Sequence, residues 1–164
     1  MAAVVAASGA PVVLMHRQGT ARTMQDHPHY TDVVGDIKAF FEERMQAAGR
    51  EGISEDRILL DPGIGFGKTR EHNVTILKRL SEILSLGRPL LVGVSRKSFL
   101  GSLGDLPAGS QEGSTLPPEQ RLEGSLAAAL WAVQHGARGI RVHDVQATRR
   151  ALSVWEALQG ASPA

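Results

Sequence analysis

Residues 58–94 read ILLDPGIGFGKTREHNVTILKRLSEILSLGRPLLVGV. They begin with a short apolar run and a glycine-rich loop, continue with apolar residues three and four positions apart, and end with a second apolar run. Short, non-alternating runs of branched residues are typical of strands covered on both faces, and the wider spacing is typical of an amphipathic helix. The segment therefore predicts a β-α-β unit with parallel strands.

The same alternation continues on both sides of this unit. Further strands are predicted at residues 11–15 and 139–142, and the predicted helices cover residues 33–45, 74–84, 122–133 and 151–158. Glycines at 49, 87 and 136 are predicted to end the first three helices, and Asp144 is a candidate N-cap for the fourth. The chain thus reads as four β/α units in a single domain, residues 1–164.

The number of units indicates the architecture. A complete (β/α)₈ barrel needs about 200–250 residues, so four units in 164 residues correspond to half a barrel. The alternative is an open doubly wound sheet, whose phosphate-binding fingerprint would follow the first strand. The first strand here leads into His16-Arg-Gln-Gly19, which is not that fingerprint.

Two segments fall outside this pattern. Residues 1–7 lack the positive region of a signal peptide and are too short to span a bilayer, so we interpret them as the end of a helix that stops at Ser8-Gly9. Residues 101–119 are rich in Gly, Ser and Pro and show no period, which predicts a flexible loop that is either functional or mobile.

The composition excludes several classes of protein. The chain is 42% hydrophobic and 21% charged, with a net charge of +1, and no basic stripe indicates a nucleic-acid partner. It has no cysteine, which excludes disulfides, thiolate zinc sites and a thiol nucleophile. A cytoplasmic protein with no membrane partner is expected.

Polar and cationic residues follow each predicted strand, at the edge where parallel α/β folds bind ligands. In chain order they are Met15 and His16, Asp61-Pro-Gly-Ile-Gly-Phe-Gly-Lys68, Ser95-Arg-Lys-Ser98, and Arg141 with His143-Asp144. One carboxylate, several cations and a glycine-rich loop are predicted to converge there. Such a set suits an anionic substrate with a polar heterocycle.

The glycine-rich loop matches neither common phosphate motif. A P-loop requires glycine where Pro62 stands, and a dinucleotide fingerprint requires glycine where Lys68 stands. We expect Gly63, Gly65 and Gly67 to let the backbone approach a flat ligand closely, with Asp61 accepting hydrogen bonds from the ligand's N–H groups. The alternative is that Asp-Pro-Gly is only a turn.

Some of the cationic residues and histidines are candidates for the site, and the others are predicted to lie outside it. Arg141 lies within a predicted apolar strand, where an unpaired charge is costly, so we expect an acidic partner or a bound anion, with His143 as a second donor. Arg96 and Lys97 are site candidates, whereas His16 is interpreted as a structural residue. The remaining histidines, His27, His29, His72 and His135, are predicted to lie on the surface, and no group of residues has metal-ligand spacing.

Four segments in order resemble motifs of the dihydropteroate synthase family: Leu14-Met-His16, Asp61–Lys68, Gly93-Val-Ser-Arg-Lys-Ser-Phe99 and Arg141-Val-His-Asp-Val145. Arg121-Leu-Glu-Gly-Ser125 is similar too. The resemblance covers residues 9–158 and corresponds to the C-terminal half of the family, strands five to eight of its barrel. It implies condensation of 6-hydroxymethyl-7,8-dihydropterin diphosphate with p-aminobenzoate, with release of pyrophosphate.

The resemblance also implies roles for individual residues. Asp61 and Lys97 would bind the pterin, Met15 would pack on its ring, and Arg141 and His143 would hold the diphosphate, so that Lys97, Arg141 and His143 are the catalytic candidates. Gly65 and Phe66 would lie near the pterin and aminobenzoate, and Ser95 and Arg96 would help form the aminobenzoate side. Mg²⁺ is implied as a cofactor whose protein ligands belong to the half that this chain lacks, and a homodimer is implied through helices of the present half.

Two alternatives remain open from the sequence. The chain could be a truncated, non-catalytic fragment with residual ligand-binding and dimerising surfaces. It could also be another pterin-binding barrel, such as a methyltetrahydrofolate methyltransferase domain, although Ser95-Arg-Lys-Ser98 argues against that.

Overall fold

A four-stranded, all-parallel sheet forms the centre of the computed structural model, which describes residues 1–103 and 114–160. The strands are β1 (Val12–Met15), β2 (Ile58–Asp61), β3 (Leu90–Val92) and β4 (Ala137–Ile140). They are hydrogen-bonded in chain order without a reversal. The prediction of four parallel β/α units is therefore confirmed, and the order lacks the switch point of a doubly wound sheet within the described residues.

Helices connect the strands. The α-helices are α1 (Ala2–Ser8), α2 (Val33–Arg50), α3 (Arg70–Lys78), α4 (Leu80–Ile83), α5 (Ser98–Gly101), α6 (Leu122–Gln134) and α7 (Val145–Gly160). Short 3₁₀ turns occupy Glu55–Arg57, Leu84–Leu86 and Pro118–Gln120. The predicted stop of α1 is confirmed, because Gly9 adopts a left-handed conformation with φ 69°.

Two predicted helix boundaries were wrong. The helix predicted over residues 74–84 is interrupted at Arg79, whose φ of −108° is not helical and whose guanidinium binds Asp32 and Glu82, each at 2.7 Å. Helix α2 continues past Gly49 because Gly52 supplies the left-handed residue, with φ 80°. In the first case contacts between elements override the local pattern, and in the second the left-handed turn forms three residues later.

The predicted loop at 101–119 is only partly described. Residues 104–113 lie outside the described residues. Gly101 belongs to α5 and Pro118–Gln120 form a 3₁₀ turn, so the ends of the segment carry regular structure.

The two faces of the sheet differ. Ile58, Leu60, Leu90 and Val92 point to the helical side and are fully buried, together with apolar residues of α2 and α3. On the other face Val13 is 43% exposed and Met15 39% exposed. The prediction that the strands are covered on both faces was wrong, because four strands do not close on themselves and no described element packs on this face.

The helices themselves are of the length usual in soluble domains. None within residues 1–103 and 114–160 combines the length and apolar character that crossing a bilayer requires.

Candidate functional site

The predicted site residues lie at the carboxyl ends of the four strands. Met15 and Asp61 are register partners at the ends of β1 and β2. Beyond β3 and β4 lies a pocket of about 430 Å³ that is lined by Gly93, Ser95, Arg96, Lys97, Pro118, Arg141 and His143. The pocket therefore brings together five predicted residues, while the Asp61 loop forms the adjoining wall.

Lys97 joins the two parts of the site. Its ammonium lies 4.0 Å from the centroid of the Phe66 ring, a cation–π contact. A Cβ placed on Gly65 would lie 3.2 Å from Cδ of Lys97, so loop and lysine are in contact. Burial lowers the pKa of Lys97, an effect that the nearby Asp61 opposes and Arg141 reinforces.

Asp61 is a partly buried carboxylate with unused hydrogen-bonding capacity. Its Oδ1 accepts the amide of Gly63 at 2.8 Å, which is the turn that Asp-Pro-Gly predicts. Among residues 1–103 and 114–160, Oδ2 accepts no hydrogen bond. Burial raises the pKa of Asp61, while the Gly63 amide and the charges of Lys97, Lys68 and Arg141 oppose this shift. Asp61 thus both forms a turn and leaves an oxygen available to a ligand.

The three loop glycines allow close backbone contacts within the fold. Gly63, Gly65 and Gly67 all have left-handed φ angles, of 66°, 79° and 64°. A Cβ on Gly63 would lie 1.9 Å from the carbonyl oxygen of His16, and one on Gly67 would lie 2.7 Å from that of Gln18. At Gly63 and Gly67 the backbone therefore approaches the chain after β1 closely, whereas Gly65 faces Lys97.

Ser95 and Arg96 are fixed by neighbouring segments. Ser95 is buried, and its Oγ accepts the amide of His143 at 3.1 Å and lies 3.0 Å from that residue's Nδ1. Arg96 has a left-handed backbone with φ 57°, unusual for a non-glycine residue. Ser125 accepts the Arg96 amide, and Arg121 donates to the Arg96 carbonyl, both at 2.8 Å.

The Arg96 guanidinium is not a free cation. It binds both carboxylate oxygens of Asp144, at 2.5 and 3.0 Å. Asp144 directly precedes α7, as an N-cap should, but its carboxylate is engaged by Arg96. The sequence did not reveal this pair because its partners lie on loops after different strands.

Arg141 differs from its predicted environment. Strand β4 ends at Ile140, so Arg141 lies just beyond the strand and is exposed. No acidic side chain within residues 1–103 and 114–160 forms an ion pair with it. The burial argument for an acidic partner was therefore wrong, and the guanidinium is accessible from the pocket.

Three buried polar residues that were not among the predicted site residues hold the glycine loop. Lys68 is 3% exposed and bonds to His16, Asn73 accepts the Gly65 amide at 2.8 Å, and Tyr30 donates to the Gly67 carbonyl at 2.8 Å. The signal for Lys68 was a charged residue at the end of an otherwise small and apolar loop. The structural interpretation of His16 is confirmed, because it is buried and hydrogen-bonded.

The histidines that were predicted to lie on the surface are not all exposed. His27 and His29 are exposed as predicted, but His72 and His135 are only partly exposed. His72 forms a capping box with Thr69 at the start of α3, and His135 stacks on Trp131 with ring centroids 4.2 Å apart. No three His, Asp or Glu side chains within the described residues gather in a way that could hold a metal ion.

Sequence comparisons of this chain with known proteins agree with one another. The model of the family described as pterin binding enzyme matches residues 1–143. The chain is 46% identical to dihydropteroate synthase of Escherichia coli over 152 residues, which are 93% of this chain and 50% of that protein. It is 38% identical to dihydropteroate synthase of Mycobacterium leprae, covering 99% of this chain and 56% of that protein. The chain thus spans about half the length of the curated relatives it matches.

The solved structures that this chain resembles include dihydropteroate synthases as well. Dihydropteroate synthase from Stenotrophomonas maltophilia with active site-bound imidazole superposes with a TM-score of 0.88 at 45% identity, over 99% of this chain and 58% of that one. The enzyme from Xanthomonas albilineans in complex with 7,8-dihydropteroate gives 0.84 at 45% identity, over 98% and 55%. Four parallel β/α units of this chain therefore match part of each of those folds.

Proposed function

The chain belongs to the family of pterin binding enzymes, and from this we propose that it carries part of the active site of a dihydropteroate synthase. The reaction joins the pterin carbon that bears the diphosphate to the amino group of p-aminobenzoate and releases pyrophosphate. Relatives 46% identical that carry this name favour the synthase over other pterin-binding barrels.

The observation that carries the proposal is the placement of Lys97. Its ammonium lies on the Phe66 ring and within electrostatic reach of Asp61 and Arg141. A carboxylate that accepts hydrogen bonds and a lysine that donates them can bind the complementary edges of a pterin. We infer that Asp61 and Lys97 hold the heterocycle, that Gly65 lies near it, and that Met15, on the same open sheet face, packs against its ring.

The other end of the pocket suits an anion. Arg141 and His143 line it and lie beyond β4, and we propose that both bind the diphosphate. As the C–O bond breaks, negative charge grows on the leaving diphosphate, and positive groups placed there stabilise the transition state more than the ground state. The amine of aminobenzoate is already nucleophilic, so positioning it in line replaces the need for a strong base.

Phe66, Ser95 and Arg96 are proposed to form the aminobenzoate side. Because Arg96 is paired with Asp144, the pair carries less net charge than a free guanidinium would. Arg96 is therefore proposed to contribute shape and hydrogen bonding more than charge. Ser95 holds His143 in place through two contacts. These residues would orient the nucleophile beside the pterin carbon.

Mg²⁺ belongs to the proposal only as a companion of the diphosphate. The donor set does not fit a metal site in this chain, because Asp61 is the one carboxylate at the rim without an ion-pair partner within the described residues.

We expect Asp61→Asn to weaken binding of 7,8-dihydropteroate about tenfold or more, because the amide replaces a charged acceptor with a donor that faces the ligand's own N–H groups. Binding is measured by NMR titration, which detects weak ligands. In the wild type the shifts should concentrate on residues 61–68 and 95–97.

Asp56→Asn is the matched control for Asp61→Asn, because Asp56 lies in the turn just before β2, at the opposite end of the same strand. It should bind like the wild type. Equal weakening by both variants, or wild-type shifts confined to other surfaces, would contradict the proposed site.

We further propose that the protein is a homodimer. A groove of about 770 Å³ runs between α3 and α6, and Trp131, one of its lining residues, is 43% exposed. Its apolar lining consists of Val74, Leu77, Phe99, Leu100, Leu103, Leu116, Ala127, Ala128 and Trp131. Exposed aromatic side chains on such a surface are typical of protein interfaces, and a second copy of the chain is the proposed occupant.

Ala127→Glu should shift the monomer–dimer equilibrium towards monomer by about tenfold or more, because it buries a charge in the groove without removing an internal contact. Sedimentation equilibrium measures the association constant. Gln134→Glu adds the same charge to an exposed position at the end of α6 and should leave association unchanged. An undisturbed dimer in the Ala127→Glu variant would exclude this groove as the interface.

A cytoplasmic location is proposed on the cysteine-free composition, which needs no oxidising compartment. The fragment alternative is supported by the uncovered sheet face. It predicts that residues 1–164 alone do not turn over substrate.

A further inference from the structure

Lys68 is buried at the end of the glycine loop with all of its ammonium hydrogens accounted for. Its Nζ lies 3.0 Å from each of three acceptors: the carbonyl oxygens of Gly63 and Phe66, and Nδ1 of His16. An ammonium has three N–H donors and no acceptor, so these partners saturate it. With 3% exposure, little of its charge is solvated by water.

The partners of Lys68 are the two ends of one turn and the end of a neighbouring strand. Phe66 donates its amide to the Gly63 carbonyl at 3.0 Å, which closes the turn. Lys68 binds the carbonyls of both turn residues and links them to His16, directly after β1. The ammonium therefore joins the loop to the strand edge.

His16 is suited to accept this bond. Burial lowers the pKa of His16 to about 4, and the charge of Lys68 adds to the effect. A neutral ring has one acceptor nitrogen, and contact with an ammonium assigns that role to Nδ1. Burial also lowers the pKa of Lys68 to about 7, which Asp61 opposes and Lys97 reinforces.

The loop so held carries two residues of the proposed site. Asp61 is tied to the turn through the Gly63 amide at 2.8 Å, and the Phe66 ring lies under the ammonium of Lys97. A change in the Gly63–Phe66 turn therefore moves a hydrogen-bond acceptor and an aromatic wall together.

We propose that Lys68 is a positioning residue, whose ammonium fixes the Gly63–Phe66 turn against His16 and thereby sets Asp61 and Phe66 relative to Lys97. Its effect on ligand affinity rests on the proposed function, whereas its effect on the turn does not. It touches no substrate in this arrangement.

The test compares Lys68→Met with Lys78→Met, which removes an exposed lysine at the end of α3. Amide hydrogen exchange is followed at Phe66 in the turn and at Leu60, which is bonded to Pro89 within the sheet. In Lys68→Met we expect Phe66 to exchange about tenfold faster while Leu60 stays protected, with about tenfold weaker binding of 7,8-dihydropteroate. Lys78→Met should match the wild type in both measurements.

The outcomes separate the two proposals. Unchanged Phe66 exchange in Lys68→Met would overturn the positioning role, as would wild-type affinity despite faster exchange. A wild type that does not bind dihydropteroate, combined with faster Phe66 exchange in the variant, would overturn the proposed function and support the anchoring of the turn.

If Lys68→Met does not fold, a second measurement tests the positioning role of Lys68. The side chains of the four lysines in the wild type are titrated by NMR. The Lys68 side chain is expected to titrate well below the ordinary lysine value of about 10.4. Titration near that ordinary value would show a solvated ammonium and overturn the proposal.

Discussion

Gly63→Ala is expected to lower the free energy of unfolding by about 3–5 kcal/mol, a large share of the roughly 5–15 kcal/mol that stabilises a typical domain. The added Cβ would lie 1.9 Å from the carbonyl oxygen of His16, and φ at this position is 66°. Relief requires moving the loop away from the end of β1, because the obstructing atom is backbone. Urea denaturation followed by circular dichroism measures the change.

Gly87→Ala separates backbone strain from collision. Gly87 has φ 71°, but a Cβ there meets nothing within 4 Å. It should cost about 1 kcal/mol, the usual penalty for a left-handed non-glycine residue. Equal losses in the two variants would show that the Gly63 contact is unimportant and that strain alone matters.

Residues 1–164 on their own are expected to produce 7,8-dihydropteroate at least about a thousandfold more slowly than a complete synthase, whose turnover is roughly 1 per second or faster. Sites of (β/α)₈ enzymes are built from loops after all eight strands. Here four such loops are present, and the sheet face under the site is open to water. Water raises the local dielectric constant and weakens the charge stabilisation that we propose for Arg141, His143 and Lys97.

The assay contains both substrates and Mg²⁺ and measures released pyrophosphate, with the relative from Escherichia coli as the positive control. Product formation near the control rate would show that four units suffice and would remove the fragment alternative. Folding of the sample is checked independently by the protection of the Leu60 amide.

The sequence was sufficient to group the residues at the rim of the candidate site. Parallel strands bring their carboxyl ends to one edge, so locating four strands was enough to group Asp61, Lys97 and Arg141. The strand boundaries needed little accuracy for this purpose. The edge position of Arg141, one residue beyond its strand, was nevertheless missed.

The sequence could not predict the contacts that hold the site together. The pairs Arg96–Asp144 and Lys68–His16 join loops that follow different strands, so they depend on sheet register and loop conformation. The same register brings Gly63 against His16 and so decides which glycine is intolerant of a side chain. Local patterns carry no information on such distances between segments.

The uninterrupted strand order also has a consequence for how the chain acquires its structure. Each strand pairs with the one that follows it, so every β-α-β unit can close once its own second strand is available, without waiting for a distant segment. On the ribosome, β1 and β2 can pair while β4 is still being synthesised. Folding can therefore advance from the N-terminal side, with each finished unit serving as the template for the next.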